Sequence, residues 1–161
     1  SKYDNEHEHC YISIHSKYMS HKIKKYGICE NKTGKESFPF NIPKKYYKDF
    51  IRGYFDGDGC YTYFYRLNKN KYKTLNSSIK IVCANKNFLE EIKKVLIEDA
   101  CMDSNKIHIY NSASIYSLEI SSNKPKLQFY NYIYPKYCRR YLKRKKDIFD
   151  ETIDYMKSHA K

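Results

Sequence analysis

The segment GYFDGDG, residues 53–59, places two carboxylates and three glycines within seven residues. Asp56 and Asp58 close a stretch whose pattern predicts an amphipathic helix, so both would meet the negative end of the helix dipole, at a cost of ~0.3–1 kcal/mol. A bound cation would reverse the local sign, and Mg²⁺ needs only one or two carboxylates beside waters and substrate phosphates. The alternative is an Asp-Gly turn that joins the helix to a strand.

The glycines of this segment indicate a second helix. Gly53 and Gly57 are four residues apart and therefore share one face of the helix. In an exposed helix each glycine costs ~0.8–1.0 kcal/mol relative to alanine. Close approach of another helix along that face explains why both are tolerated.

The elements around the acids follow from hydrophobic periodicity. Pro43 suits the first turn of the acid-bearing helix, whose apolar residues recur at helical spacing. Strands are predicted at 60–67, 77–84, 106–111 and 115–121, and helices at 85–100, from Pro125 onward and at 139–156. This order predicts an α+β fold in which a four-stranded antiparallel sheet carries helices on one face. The other face would be free to meet a partner.

The charge of the chain limits the class of that partner. Lys and Arg number 31 against 18 Asp and Glu, which gives a formal charge of +13. A basic folded chain favours a polyanion, most commonly nucleic acid, although compositional bias toward Lys is an alternative explanation. Six cysteines without a C-x-x-C pair predict reduced thiols and an intracellular location, in the cytoplasm, the nucleoid or an organelle. No apolar run approaches the ~18 residues that a membrane span needs.

Residues 10–40 resemble the end of an earlier copy of the same unit. A strand at 10–16 and a basic helix at 17–27 precede a loop, and a shift of 69 positions aligns Ile12 and Lys17 with Ile81 and Lys86. We therefore predict a remnant of a preceding copy at 1–40 and a complete domain at 41–161.

The nine residues IRGYFDGDG, 51–59, resemble the signature of the LAGLIDADG homing endonucleases. Gly53, Asp56, Asp58 and Gly59 match its fixed glycine and acid positions, and Gly57 replaces its small residue. The preceding residues 38–50 resemble the segment that joins the two halves of single-chain members. YLKRKKDIF, 141–149, resembles the basic start of the family's final helix, so the resemblance covers residues 10–155.

The resemblance implies a saddle-shaped sheet in an α-β-β-α-β-β-α-α order and a site-specific double-stranded DNA endonuclease of homing type. In this family two motif helices pack side by side, and each delivers its last acid to metal ions, Mg²⁺ or Mn²⁺, at the scissile phosphates. Carried over, Asp58 would bind the metal, Gly57 would add its carbonyl, and Asp56 would serve the helix end. Phosphodiester hydrolysis would then be assisted by two lysines and an amide that positions water: Lys145, Lys32 and Asn85.

The strands would supply the DNA interface. The family's register turns one side of the sheet toward the major groove, with Thr62, Arg66, Asn68, Ser78, Lys80, His108 and Ser117 as the candidates. Arg66 and Lys80 could read guanine edges. The loop lysines Lys69, Lys71 and Lys73 would contact phosphates.

The chain contains one acidic motif, whereas cleavage of both DNA strands takes two. The chain is then a fragment of a two-motif protein, half of a homodimer that pairs through the Gly53 and Gly57 face, or a protein that only binds. The strand and helix at 10–28 favour the fragment, which would be the C-terminal portion of a protein whose gene lies in an intron or intein or is free-standing. The alternative function is a non-cleaving DNA- or RNA-binding protein on the same scaffold, such as an intron maturase or a transcription regulator. A more distant alternative is a structural RNA-binding domain in which DGDG is a turn.

Overall fold

A computed structural model describes residues 13–26, 33–67 and 73–160 of the chain. Its helices are α1 (Lys17–Lys24), α2 (Tyr47–Asp58), α3 (Lys86–Asp99), α4 (Asn123–Ile133) and α5 (Lys143–Ser158). Its strands are β1 (Gly59–Leu67), β2 (Lys73–Cys83), β3 (Ile107–Ser112) and β4 (Ile115–Ile120). From α2 onward the order is the predicted one, and the α+β class is confirmed.

The four strands form one antiparallel sheet in the order β1-β2-β4-β3. The side chains of Ile79, Ile81, Leu118 and Ile120 are fully buried on one face of the two central strands. The helices α2, α3, α4 and α5 supply the other half of this core. Helices on one face and an uncovered second face are the predicted architecture.

Helix α2 is held by the side that carries Ile51, Arg52 and Phe55. Ile51, one of the residues whose helical spacing predicts this helix, is fully buried, and so is Phe55. Arg52, also buried, pairs with Asp49 one turn earlier at 2.6 Å and donates to the backbone carbonyl of Ile133 at 3.0 Å. These contacts fix the helix against α4 and thereby fix the direction of its acidic end.

Three boundaries differ from the predicted ones by four residues. Residues 13–16 are not a strand, and Ile14 is largely exposed, so no core forms that would require one. β2 begins at Lys73 rather than at 77, because its polar first residues still pair with β1 and bury Leu75. Residues 139–142 precede α5 without helical structure. The first residues of the predicted strand at 10–16 lie outside the described residues.

In the described residues, helix α1 buries none of its side chains, and no helix is long and apolar enough to cross a membrane.

Candidate active site and nucleic-acid interface

The acidic end of α2 passes directly into β1 at Gly59. A Cβ atom at Gly59 would lie 2.1 Å from the ring atom Cδ2 of Phe55 and 2.7 Å from the carbonyl oxygen of Phe55. Any other residue would force the helix end and the strand apart. Glycine at this position therefore sets the position of Asp58 relative to the sheet.

Asp58 is exposed at this junction. Within the described parts of the chain, no group donates a hydrogen bond to its carboxylate. Gly57 and Gly53 are exposed beside it along α2, and a Cβ atom at either would have no heavy atom of a described residue within 4 Å. The end of α2 thus presents a free carboxylate next to a strip of uncovered backbone.

Asp56, by contrast, is bound within the protein. The hydroxyl of Tyr134 donates to its Oδ1 at 2.8 Å, and the backbone N–H of Leu142 donates to its Oδ2 at 2.9 Å. Burial and this carboxylate raise the pKa of Tyr134 above its ordinary value. Leu142 is the N-cap residue of α5, so Asp56 joins the end of α2 to the start of α5.

Lys145 lies beneath the same helix end. Its Nζ donates to the backbone carbonyls of Phe55 at 2.8 Å, Gly57 at 3.3 Å and Gly59 at 2.5 Å. Burial lowers the pKa of Lys145, and the nearby Arg144 lowers it further. The ammonium group therefore points into the protein, where it offsets the negative pole of α2.

Asn85 and Lys32 are the remaining candidates for catalysis. The side chain of Asn85 caps α3: its Oδ1 accepts from the N–H of Asn87 at 3.0 Å, and its Nδ2 donates to the carbonyl of Glu36 at 2.7 Å. Both ends of this amide are occupied by protein groups. Lys32 lies outside the described residues.

The uncovered face of the sheet carries the predicted DNA contacts. The alternation in β1 buries Tyr61 against α5, where its hydroxyl hydrogen-bonds that of Thr152 at 2.6 Å, and turns Thr62 outward. Thr62 and Ser78 are joined across the strands at 3.3 Å. The candidates on this open sheet face are Thr62, Arg66, Ser78, Lys80, His108 and Ser117.

The candidate phosphate contacts lie mostly in the connection between β1 and β2. Lys73 begins β2, and its ammonium lies 4.2 Å from the ring centre of Tyr65. Asn68, Lys69 and Lys71 lie outside the described residues.

The sequence profile of the LAGLIDADG-like domain matches residues 45–134, more than half of the chain. The chain belongs to the LAGLIDADG family. No curated protein sequence matches it.

Solved structures share the fold. An archaeal intron-encoded homing endonuclease, I-Vdi141I, complexed with DNA, has a TM-score of 0.57 and 16% identity over 72% of each chain. The homing endonuclease I-CvuI in complex with the I-CreI target has a TM-score of 0.54 and 13% identity, covering 71% of this chain and 68% of that one. The LAGLIDADG homing endonuclease I-GzeII in complex with its DNA target has a TM-score of 0.53 and 21% identity, over 73% of this chain but only 37% of that chain.

The LAGLIDADG helix α2 supplies one carboxylate that is free to bind a metal. Among the described residues no three His, Cys, Asp or Glu side chains cluster closely enough to hold an ion. A hard oxygen donor at Asp58 nevertheless fits Mg²⁺, which takes most of its ligands from water and phosphate. Within the described residues, the end of α2 thus offers one protein carboxylate as a donor.

Two residues near the open sheet face were not among the predicted candidates. Lys126 of α4 is buried and donates to the carbonyl of Ser77 at 3.0 Å, and burial lowers the pKa of Lys126 to about 8. Its spacing from the buried Phe129 and Ile133 is the signal that would have found it. Glu119 of β4 alternates with buried Leu118 and Ile120, which turns it toward the open sheet face.

Proposed function

We propose that the chain provides one half of a divalent-metal-dependent, site-specific endonuclease for double-stranded DNA of homing type. The exposed carboxylate of Asp58, at the end of the LAGLIDADG helix, is the observation that carries this proposal. Asp56 is bound by Tyr134 and by the N-terminus of α5. Asp58 is therefore the acid of the motif that remains free for a metal ion.

Asp58 would hold Mg²⁺ or Mn²⁺ together with waters and DNA phosphates, and the carbonyl of Gly57 would lie beside it. The homing endonuclease I-CvuI is in complex with DNA in the presence of Mg in one structure and of Ca in another. Such an ion would activate water and stabilise the leaving oxygen of a phosphodiester. The chain's own residues position it, because Lys145 holds the carbonyls on either side of Asp58.

A second LAGLIDADG helix would complete the site. The strip at Gly53 and Gly57 would allow two backbones to approach closely, because no heavy atom of a described residue lies within 4 Å of either Cβ position. That helix would come from an identical chain or from a preceding half of a longer protein. In either arrangement the two exposed acids would lie side by side.

The open sheet face and the charge of +13 support double-stranded DNA as the partner. Antiparallel strands fit the major groove, where Arg66 and Lys80 could donate to guanine. Lys73 and the lysines between β1 and β2 would contact phosphates, which position the protein without reading sequence.

The test is the substitution Asp58→Asn on DNA recovered by selection from a randomised duplex library. The parent chain should bind the selected DNA and nick it in Mg²⁺ or Mn²⁺, whereas Asp58→Asn should bind without nicking. Asp154→Asn, an exposed acid on α5, is the matched control and should leave nicking unchanged. Equal nicking by Asp58→Asn and the parent would overturn the assignment of Asp58.

The single free carboxylate also supports a second candidate, a DNA- or RNA-binding protein that does not cleave. This alternative predicts tight binding that neither Mg²⁺ nor Mn²⁺ converts into nicking, in the parent as in the variant.

A further inference from the structure

Glu119 is the one acidic side chain on the open sheet face within the described strands. This face consists of the outward residues of β1 to β4, of which Thr62, Ser78, Lys80 and His108 are members. A carboxylate on a surface that meets a polyanion weakens the general attraction to phosphates. Phosphate contacts therefore do not explain why a carboxylate lies on this face.

Glu119 and Lys80 form a directly opposed pair on the two central strands. Lys80 Nζ lies 2.6 Å from Glu119 Oε1, and the hydroxyl of Ser117 donates to the same oxygen at 3.3 Å. Among the described residues nothing donates to Oε2. The Lys80 and Glu119 side chains remain 45% and 27% exposed, so the pair offers solvent a cationic donor beside an unused acceptor.

We infer that Lys80 and Glu119 together read one G·C base pair, an inference that rests on the proposed binding of double-stranded DNA. The major-groove edge of a G·C pair offers the acceptors O6 and N7 of guanine beside the N4 donor of cytosine. Lys80 would donate to guanine, and Glu119 Oε2 would accept from cytosine N4. The ion pair between them holds donor and acceptor in fixed order, which makes Glu119 a specificity-determining residue.

The base pair concerned lies near the acidic end of α2. Lys80 pairs with Cys60, two residues after Asp58. At ~3.3 Å per strand residue, this position is within about 7 Å along the strand of the helix end. The preference should therefore appear at one position near the cleaved bond and not at the outer end of the target.

A cross-strand ion pair can also serve only the stability of the sheet. Base recognition and stabilisation of the sheet predict different results. If the pair only stabilises the sheet, its substitution does not change which base pairs the protein prefers. Glu90 provides the control, because it forms an ion pair with Lys86 at 3.7 Å on the helix α3, away from the sheet face. Glu90→Gln makes the same change of charge as Glu119→Gln.

The experiment is selection of bound duplexes from a randomised library by the parent, Glu119→Gln, Lys80→Met and Glu90→Gln. The parent and Glu90→Gln should share one G·C position, preferred over the wrong base pairs by roughly 5- to 100-fold. Lys80→Met should lose this preference, and Glu119→Gln should lose it or change it toward A·T, since glutamine pairs with adenine. All other preferred positions should stay as in the parent.

Thermal melts establish that each variant is folded before selection. Unchanged preference at every position in both face variants would overturn the inference while leaving the proposed function intact. So would enrichment of A·T by the parent at the affected position. Failure of the parent to enrich any duplex would overturn the proposed function, and the assignment of Lys80 and Glu119 with it.

Discussion

Substitution of the two motif acids should separate stability from activity. Asp56→Ala removes two hydrogen bonds to an ionised acceptor, from Tyr134 and from the N–H of Leu142. Hydrogen bonds to charged groups contribute ~1.5–3 kcal/mol each to the free energy of unfolding. Removing a negative charge from a helix C-terminus adds back ~0.3–1 kcal/mol. We expect Asp56→Ala to lower the free energy of unfolding by about 3 kcal/mol. Asp58→Asn breaks no contact with a described residue and should raise the free energy of unfolding by about 0.5 kcal/mol.

The assay is urea unfolding at pH 7 followed by circular dichroism, since the chain has no tryptophan. Asp56→Asn provides an intermediate control, because its amide oxygen can still accept one of the two bonds. Asp154→Asn controls for the loss of an exposed charge. A loss of about 2 kcal/mol or more in Asp58→Asn would refute the reasoning, because a free carboxylate has no such contribution to lose.

Two lysines give further expectations for unfolding. Lys145→Met leaves the carbonyls of Gly57 and Gly59 without their donor. This substitution should lower the free energy of unfolding by about 2 kcal/mol at pH 7. A decrease of less than about 0.5 kcal/mol would contradict the role of Lys145 at the end of α2. Burial lowers the pKa of Lys126 to about 8, so the folded chain releases this proton before the unfolded chain, whose lysine titrates near 10.5. The free energy of unfolding of the parent, measured relative to that of Lys126→Met, should therefore rise by about 2 kcal/mol between pH 8 and pH 10, which urea unfolding of both proteins measures.

Periodicity was sufficient to predict the layers of the fold. The apolar residues of α2 and α3 recur at helical spacing, and the isoleucines of β2 alternate with polar residues, so their buried faces could be assigned from the chain alone. Alternation also places Tyr61 and Thr62 on opposite sides of β1, and the structure buries Tyr61, but the resemblance to the family was needed to say which side faces outward. The β2 boundary was not predictable, because Lys73 and Thr74 pair with β1 despite a turn-like composition.

The direction of Lys145 shows where composition misleads. Its neighbours in the run KRKK are cations, and a basic run is typical of a solvated surface. Lys145 nevertheless lies on the same helical face as Phe149, Thr152 and Met156, all of which are buried. Spacing thus contained the signal, but only the contact with α2 explains why a charge is tolerated there. The resemblance to the family predicts a catalytic role for this lysine. The structure shows that its ammonium donates to three backbone carbonyls.

The charges at the end of α2 explain why one of its two acids stays free. The dipole of the helix, Asp56 and Asp58 are all negative there, and Lys145 is the buried positive group that opposes them. In this structure the ammonium of Lys145 donates to three backbone carbonyls and so points inward rather than toward the position of a phosphate. A DNA phosphate that approaches Asp58 would meet two carboxylates and the negative pole of the helix, and a divalent cation supplied from solution would reverse the local sign. The arrangement that stabilises the helix end is thus the same one that makes the proposed chemistry depend on a divalent ion.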